Sequence, residues 1–270
     1  MSTLHGNTGY AYVNLAKLRL DWASAGIDCL EVLVDSFLAT KPCEVLTSME
    51  RKGKNAFFSY VLHVHNQPPT TISFALGDVV HNLRATLDNL VWGIGKVFKA
   101  HDSLGLEFRD TKCHFVRFYL PKINKLPQPI YNWIESIQPY HRRNKKKYDY
   151  VLHRLWNWDK HRTPVVVNAV AVTNTLGYSG EMLPFNQMTF YNSSSRKDKQ
   201  QVATALVPWE KRGDFKPVFT LFVAFDEGGP VGMNIVGAPQ NIILYLRDVQ
   251  SYILTEVIPK FEPYLSSHVK

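Results

Sequence analysis

Apolar residues recur at helical spacing through the first forty residues. Leu15, Leu18, Trp22, Ala25, Cys29, Leu33 and Phe37 share one face, and Pro42 closes the run. This pattern predicts a long first helix over 10–38 with that face toward the core. Alternation then predicts a strand at 57–65. The Pro68-Pro69 pair breaks the chain, and Thr70 or Thr71 is placed to cap a second helix over 70–92. Residues 102–126 read as a loop with a candidate strand at 113–120. Short helices follow at 130–137 and 148–162, the latter ended by Pro164.

Beyond that proline the texture changes. Segments 163–175, 185–192, 201–209 and 218–226 are rich in Val, Phe and Thr, and Gly, Ser, Asn and Pro clusters separate them, so they read as antiparallel strands. A closing helix at 241–264 carries Ile242, Leu246, Val249, Ile253, Val257 and Phe261 on one stripe. No internal repeat appears. The expected fold class is α+β, a helical bundle with an antiparallel sheet inserted before the C-terminal helix. We read 1–270 as a single domain with two lobes: helices at 10–162 and 241–264, and a sheet mainly at 163–226.

The chain has 270 residues, of which 45% are hydrophobic and 13% aromatic, enough for a large core; disordered and fibrous classes are excluded. The start shows no charged leader followed by an apolar stretch, so export is not expected. The longest uncharged stretch, 163–180, contains Asn168, Thr173, Asn174 and Thr175, too polar for a hydrocarbon core, and no membrane partner is expected. Cys29, Cys43 and Cys113 are odd in number and widely spaced. That pattern suits packing roles in a reducing cytoplasm and offers no structural zinc site.

Charge alters this picture. The net charge is +8. Between Lys96 and Lys147 lie twelve basic residues against four acidic ones, a surplus equal to that of the whole chain. Its densest part is 141–147, where Arg142, Arg143, Lys145, Lys146 and Lys147 form a candidate grip for the phosphates of RNA or another polyanion. A solvated loop that aids solubility would look the same in sequence.

Two helices carry unusual polar residues. On the second, Leu76, Val79, Val80, Leu83, Leu87, Leu90, Val91 and Ile94 gather on one arc. Asp78, His81, Arg84 and Asp88 fall at steps of three, three and four on the other side. Such a ladder of acid, imidazole, guanidinium and acid suits acid–base work or anion binding, and equally a solvated, charge-paired face. On the helix at 148–162, Tyr148, Val151, Leu152, Leu155, Trp156 and Trp158 form the apolar arc with Asp159 near its middle, so Asp159 needs a partner such as Arg84 or His81. Arg154, Asn157 and His161 share the opposite face.

The string GDVVHNLRATLDNLVW at 77–92, followed by QPY and NWDKHR, resembles a bacterial family of unassigned activity whose members carry Gly-Asp, His-Asn-Leu-Arg, Leu-Asp-His-Leu and Asn-x-Asp-Lys-His-Arg motifs. The resemblance runs along most of the chain, although Asn89 stands where that family has its second histidine. Arg154 and His161, with six residues between them, also resemble the Arg-His signature of HEPN ribonucleases. That resemblance implies metal-independent RNA cleavage, the arginine on the scissile phosphate and the histidine moving a proton as the ribose 2′-hydroxyl attacks.

Two readings follow. In one, the protein is a HEPN-like ribonuclease or an RNA-binding protein. His161 or His81 then carries the proton, Arg154 or Arg84 holds the phosphate, and Asp78, Asp88, Asn157 and Asp159 support them. A metal-dependent version would use His81, Asp88, Asp159 and His161 with manganese or zinc, but no His-x-x-x-His or cysteine pair accompanies them, and no cofactor is expected. In the other, the protein is a non-catalytic binding or interaction module whose His, Asp and Arg residues form a structural polar network.

Overall fold

The computed structural model describes residues 8–100, 112, 117, 120–136, 152, 155, 156, 167–178, 181–182, 188–190, 200–225 and 241–266. The chain divides into two compact units. One comprises residues 1–30, 74–165 and 243–270, and the other 31–73 and 166–242. The fold is α+β, with antiparallel strands preceding a C-terminal helical segment.

In the first unit, residues 8–30 of helix α1 (Thr8–Ala39) and 74–97 of helix α2 (Thr70–Val97) bring their inner faces together. All eight apolar residues of the α2 arc are buried, as their spacing predicts. On α1 the expected face is corrected. Leu15, Leu18 and Trp22 point outward, Trp22 being 70% exposed, and Cys29 is exposed too. Val13, Ala16, Leu20, Ala23, Ile27 and Leu30 are buried instead.

This helix carries two apolar stripes, and size selects between them. The buried stripe runs beside Gly26, where an added Cβ would lie 2.9 Å from Cγ2 of Val79 on α2. Small residues let the two backbones close up and bring more atoms into van der Waals range than the bulky Trp22 face would allow. Gly93 of α2 meets α1 in the same way: a Cβ there would fall 2.6 Å from Cβ of Tyr12, whose ring packs edge-on against Trp92. Lys17 pairs with Glu262 at 3.0 Å, and Arg247 donates to Asp28 at 2.5 Å, so ion pairs tie α1 to the C-terminal segment.

Between residues 112 and 136 the described backbone is helical apart from a turn at 124–127. Lys112 and Arg117 are helical, and α3 (Leu120–Ile123) and α4 (Gln128–Ser136) follow. Of the strand expected at 113–120, Arg117 and Leu120 are helical, and the other residues lie outside the described residues. Alternating apolar residues in a short run do not distinguish a strand from a buried helical turn.

Helix α5 (Ile242–Tyr252) begins the closing segment, and α6 (Ile258–Ser266) ends it. All six residues of its predicted stripe are buried. Between the two helices, Ile253–Val257 forms a π-helical turn in which the Ile258 N–H donates to the Ile253 carbonyl. The next residue, Pro259, has no N–H to continue the ordinary ladder. Phe261 meets Trp133 of α4 edge-on at 5.0 Å between ring centres.

The second unit holds two antiparallel sheets. Strands β1 (Cys43–Lys52), β2 (Asn55–Val64), β5 (Met188–Phe190) and β6 (Gln200–Pro208) form one, in the order β1-β2-β6-β5. Strands β3 (Val167–Tyr178), β4 (Glu181–Met182) and β7 (Phe215–Phe225) form the other, in the order β4-β3-β7.

The predicted strands lie close to their expected places, and β1 adds one that the alternation does not reveal. On β2, Ala56, Phe58, Tyr60 and Leu62 are buried on one face, and register sets Ala56 against Val207, Phe58 against Ala205 and Tyr60 against Ala203. Large residues thus face small ones across the pair. Burial desolvates the Tyr60 hydroxyl and the Cys43 thiol and raises both pKa values. The packing role expected of cysteine therefore holds for Cys43, is corrected for Cys29, and for Cys113 falls outside the described residues.

Candidate functional site

The polar ladder on α2 is split by its surroundings. Asp78 and His81 are exposed, whereas the Arg84 side chain is 4% exposed. Asn82 lies between them on the helix; its amide donates to the Asp78 carbonyl, and its side-chain oxygen accepts from Arg19 of α1. Arg84 Nη2 donates to Asp88 Oδ1 at 3.1 Å, one helical turn on, and Asp88 keeps 37% of its side chain in solvent. The guanidinium carbon sits 5.5 Å from the centre of the Trp156 ring.

Leu152, Leu155 and Trp156 are helical, both leucines are buried, and Trp156 lies beside Arg84 of α2; Tyr148, Val151 and Trp158 of the predicted arc lie outside the described residues. The reading of Asp78, His81, Arg84 and Asp88 as one solvated face is thereby corrected. Arg84 lies on the margin of the apolar arc, and packing against the second motif segment carries it out of water.

A buried guanidinium remains charged, because its pKa is far too high for the proton to leave. Its burial must then be offset by ion pairing, hydrogen bonds and an aromatic face. Asp88 and Trp156 supply such contacts here. A guanidinium held this way has its charge spent inside the protein and is poorly placed to meet a polyanion arriving from solvent. His81 and Asp78, one and two turns before Arg84 on α2, are exposed.

Arg154, Asn157, Asp159, His161 and the run Arg142, Arg143, Lys145, Lys146 and Lys147 lie outside the described residues. Among the described residues no group of three or more His, Cys, Asp or Glu side chains is placed to hold a metal ion.

Sequence reasoning missed a second concentration of charge, in the sheet unit. Strands β1 and β2 join through Gly53-Lys54, with Gly53 at φ +63°, and register pairs Asn55 with Pro208 of β6. A positive φ at the first turn position and a two-residue loop suit the right-handed twist of a hairpin. The 3₁₀ turn Trp209–Asp214 follows β6 directly, and the Trp209 N–H donates to the Lys54 carbonyl at 2.9 Å.

This docking sets the half-buried indole of Trp209 against two guanidinium groups, Arg51 at 4.7 Å and Arg212 at 4.3 Å from the ring centre. Lys52, also on the hairpin, lies 3.7 Å from the centre of the Phe57 ring and pairs with Glu50 at 2.7 Å. The signals were present in the sequence as the turn Lys-Gly-Lys-Asn and the cluster Trp-Glu-Lys-Arg. They lie far apart along the chain, and only the β2–β6 register unites them.

No family model matches the chain, and no curated protein or solved structure matches it. Among the described residues no helix is long and apolar enough to cross a membrane.

Proposed function

We propose that this protein is a non-catalytic binding module for a polyanion, RNA foremost, in which the conspicuous motif on α2 is architecture. The observation that carries this reading is the burial of Arg84, 4% exposed and held between Asp88 and the Trp156 ring. A phosphate-binding arginine in an RNA-cleaving site must reach its substrate and strengthen its contact as charge develops in the transition state. Arg84 instead serves as an internal cross-link, a role in which removal leaves the partner groups unsatisfied.

The polyanion half of the reading rests on the surplus of positive charge, +8 overall, with the run at 141–147 proposed as one contributor through Arg142, Arg143, Lys145, Lys146 and Lys147. On this reading His81, Arg154 and His161 are not proton or phosphate carriers.

The test is incubation of purified protein with end-labelled single-stranded RNA in the presence of EDTA, beside the His161→Gln variant. The expected outcome is retention of intact RNA by both proteins, with binding that weakens steeply as salt rises. Cleavage by the parent that His161→Gln abolishes would overturn the proposal and restore the ribonuclease reading.

A further inference from the structure

We propose that the hairpin turn between β1 and β2, together with Trp209 and Arg212, forms a preorganised two-guanidinium clamp for the phosphodiester backbone of a single-stranded nucleic acid. The clamp rests on the polyanion reading above and gives it a definite site.

The first support is the state of the two guanidinium groups. Arg51 and Arg212 are both exposed, and both rest on the same indole. Each is fixed by a single hydrogen bond to a backbone carbonyl: Arg51 Nε donates to Gly53 at 3.2 Å, and Arg212 Nη1 donates to Trp209 at 2.7 Å. Among the described residues neither meets a carboxylate. Most of their N–H groups therefore remain for a ligand, in contrast to Arg84, whose charge is engaged within the core.

The second support is preorganisation. An exposed arginine ordinarily samples many rotamers, and ordering one on binding costs about 0.5–1.5 kcal/mol. Stacking on Trp209 and bonding to a carbonyl fix much of that freedom before a ligand arrives. Trp209 is itself fixed, because its backbone N–H bonds to the Lys54 carbonyl and its neighbour Pro208 lies in register with Asn55.

Local charge is the third support. Arg51, Lys52, Lys54, Lys211 and Arg212 are five exposed cations against Glu50, Glu210 and Asp214 in the same two segments, and Glu50 is already paired with Lys52. The surplus favours an anion, and two guanidinium forks held on one indole match the paired oxygens of successive phosphates better than they match one isolated negative charge. A single strand can bend its backbone to meet two closely set cations, whereas a duplex presents its phosphates at fixed separation.

The test is fluorescence anisotropy with a labelled poly(U) oligonucleotide across a salt series, on the full chain. Four proteins are compared: the parent, Arg51→Gln/Arg212→Gln, Arg51→Lys/Arg212→Lys, and a variant with Arg142, Arg143, Lys145, Lys146 and Lys147 changed to Gln. Circular dichroism confirms that each is folded.

The clamp predicts roughly tenfold weaker binding by the double Gln variant. It also predicts a salt dependence shallower by about 1.4 in the slope of log K against log salt, the loss of two phosphate contacts to a single strand. The double Lys variant keeps the charge and loses the fork, so it should bind clearly less tightly than the parent. Parent-like binding by the double Gln variant overturns the clamp while leaving the polyanion reading intact. Failure of the parent to bind at low salt overturns that reading and the clamp with it. Parent-like binding by the double Lys variant, or equal competition by a poly-Glu peptide, overturns the assignment to phosphodiester.

Discussion

Arg84 on Trp156 and the pair Arg51 and Arg212 on Trp209 are the same chemical contact in two settings. On α2 the guanidinium is almost wholly removed from water and shares its charge with Asp88. At the hairpin turn the two guanidinium groups are open to solvent, and the indole and one carbonyl each hold them without neutralising them. The difference lies in what surrounds the ring. Trp156 belongs to a segment whose Leu152 and Leu155 are buried, so any side chain laid against it is carried toward a core. Trp209 sits in a 3₁₀ turn at the end of β6, where Glu210, Lys211 and Gly213 are all exposed. An arginine stacked on tryptophan is therefore structural or available for binding according to its solvent access, and sequence alone does not distinguish the two.

The largest effect expected from this contrast is on stability. Arg84→Gln should lower the unfolding free energy by about 2–3 kcal/mol, since removing one member of a buried pair leaves the other uncompensated, and the partial exposure of Asp88 moderates the loss. Arg51→Gln/Arg212→Gln should stay within about 0.5 kcal/mol of the parent, as exposed substitutions generally do. Urea denaturation followed by circular dichroism measures both. Equal stability of Arg84→Gln and the parent would break the comparison.

A smaller effect sharpens the contrast in packing between the two settings. Gly93→Ala inserts a methyl group 2.6 Å from Cβ of Tyr12, at a helix–helix contact whose backbone must move to admit it, and should cost about 1–3 kcal/mol. Gly213→Ala, in the turn that carries Arg212, meets nothing within 4 Å and should change stability by less than about 0.5 kcal/mol. The same denaturation experiment reads both. A tolerated Gly93→Ala would show that α1 and α2 are less closely packed than their contacts imply.

Much of this fold is legible in the sequence because long amphipathic helices declare their buried face. The arc of α2 and the stripe ending at Phe261 follow directly from spacing. Helix α1 defeats the same reasoning, since it carries two apolar stripes, and periodicity does not reveal that Ala16, Ala23 and Gly26 allow a closer approach than Leu18 and Trp22 do. Strand β1 is hidden for a different reason. Its sequence, CEVLTSMERK, is mostly exposed at one edge of its sheet and so shows no apolar alternation.

The candidate site was half legible. The motif on α2 drew attention to Arg84 and Asp88, which do pair, but spacing placed them on a solvated face, and only the neighbouring segment with Trp156 shows that the pair is drawn inward. The hairpin clamp is invisible to any local reading, because Arg51 and Trp209 become neighbours through strand register alone.

The most direct test of whether the buried cation holds the fold while the exposed cations hold the ligand is the poly(U) affinity of Arg84→Gln, measured at a temperature where circular dichroism shows the variant fully folded. If Arg84 only holds the fold, the variant binds within about twofold of the parent, a difference of about 0.4 kcal/mol. A tenfold or greater loss in the folded variant would place Arg84 in the binding surface and contradict that role.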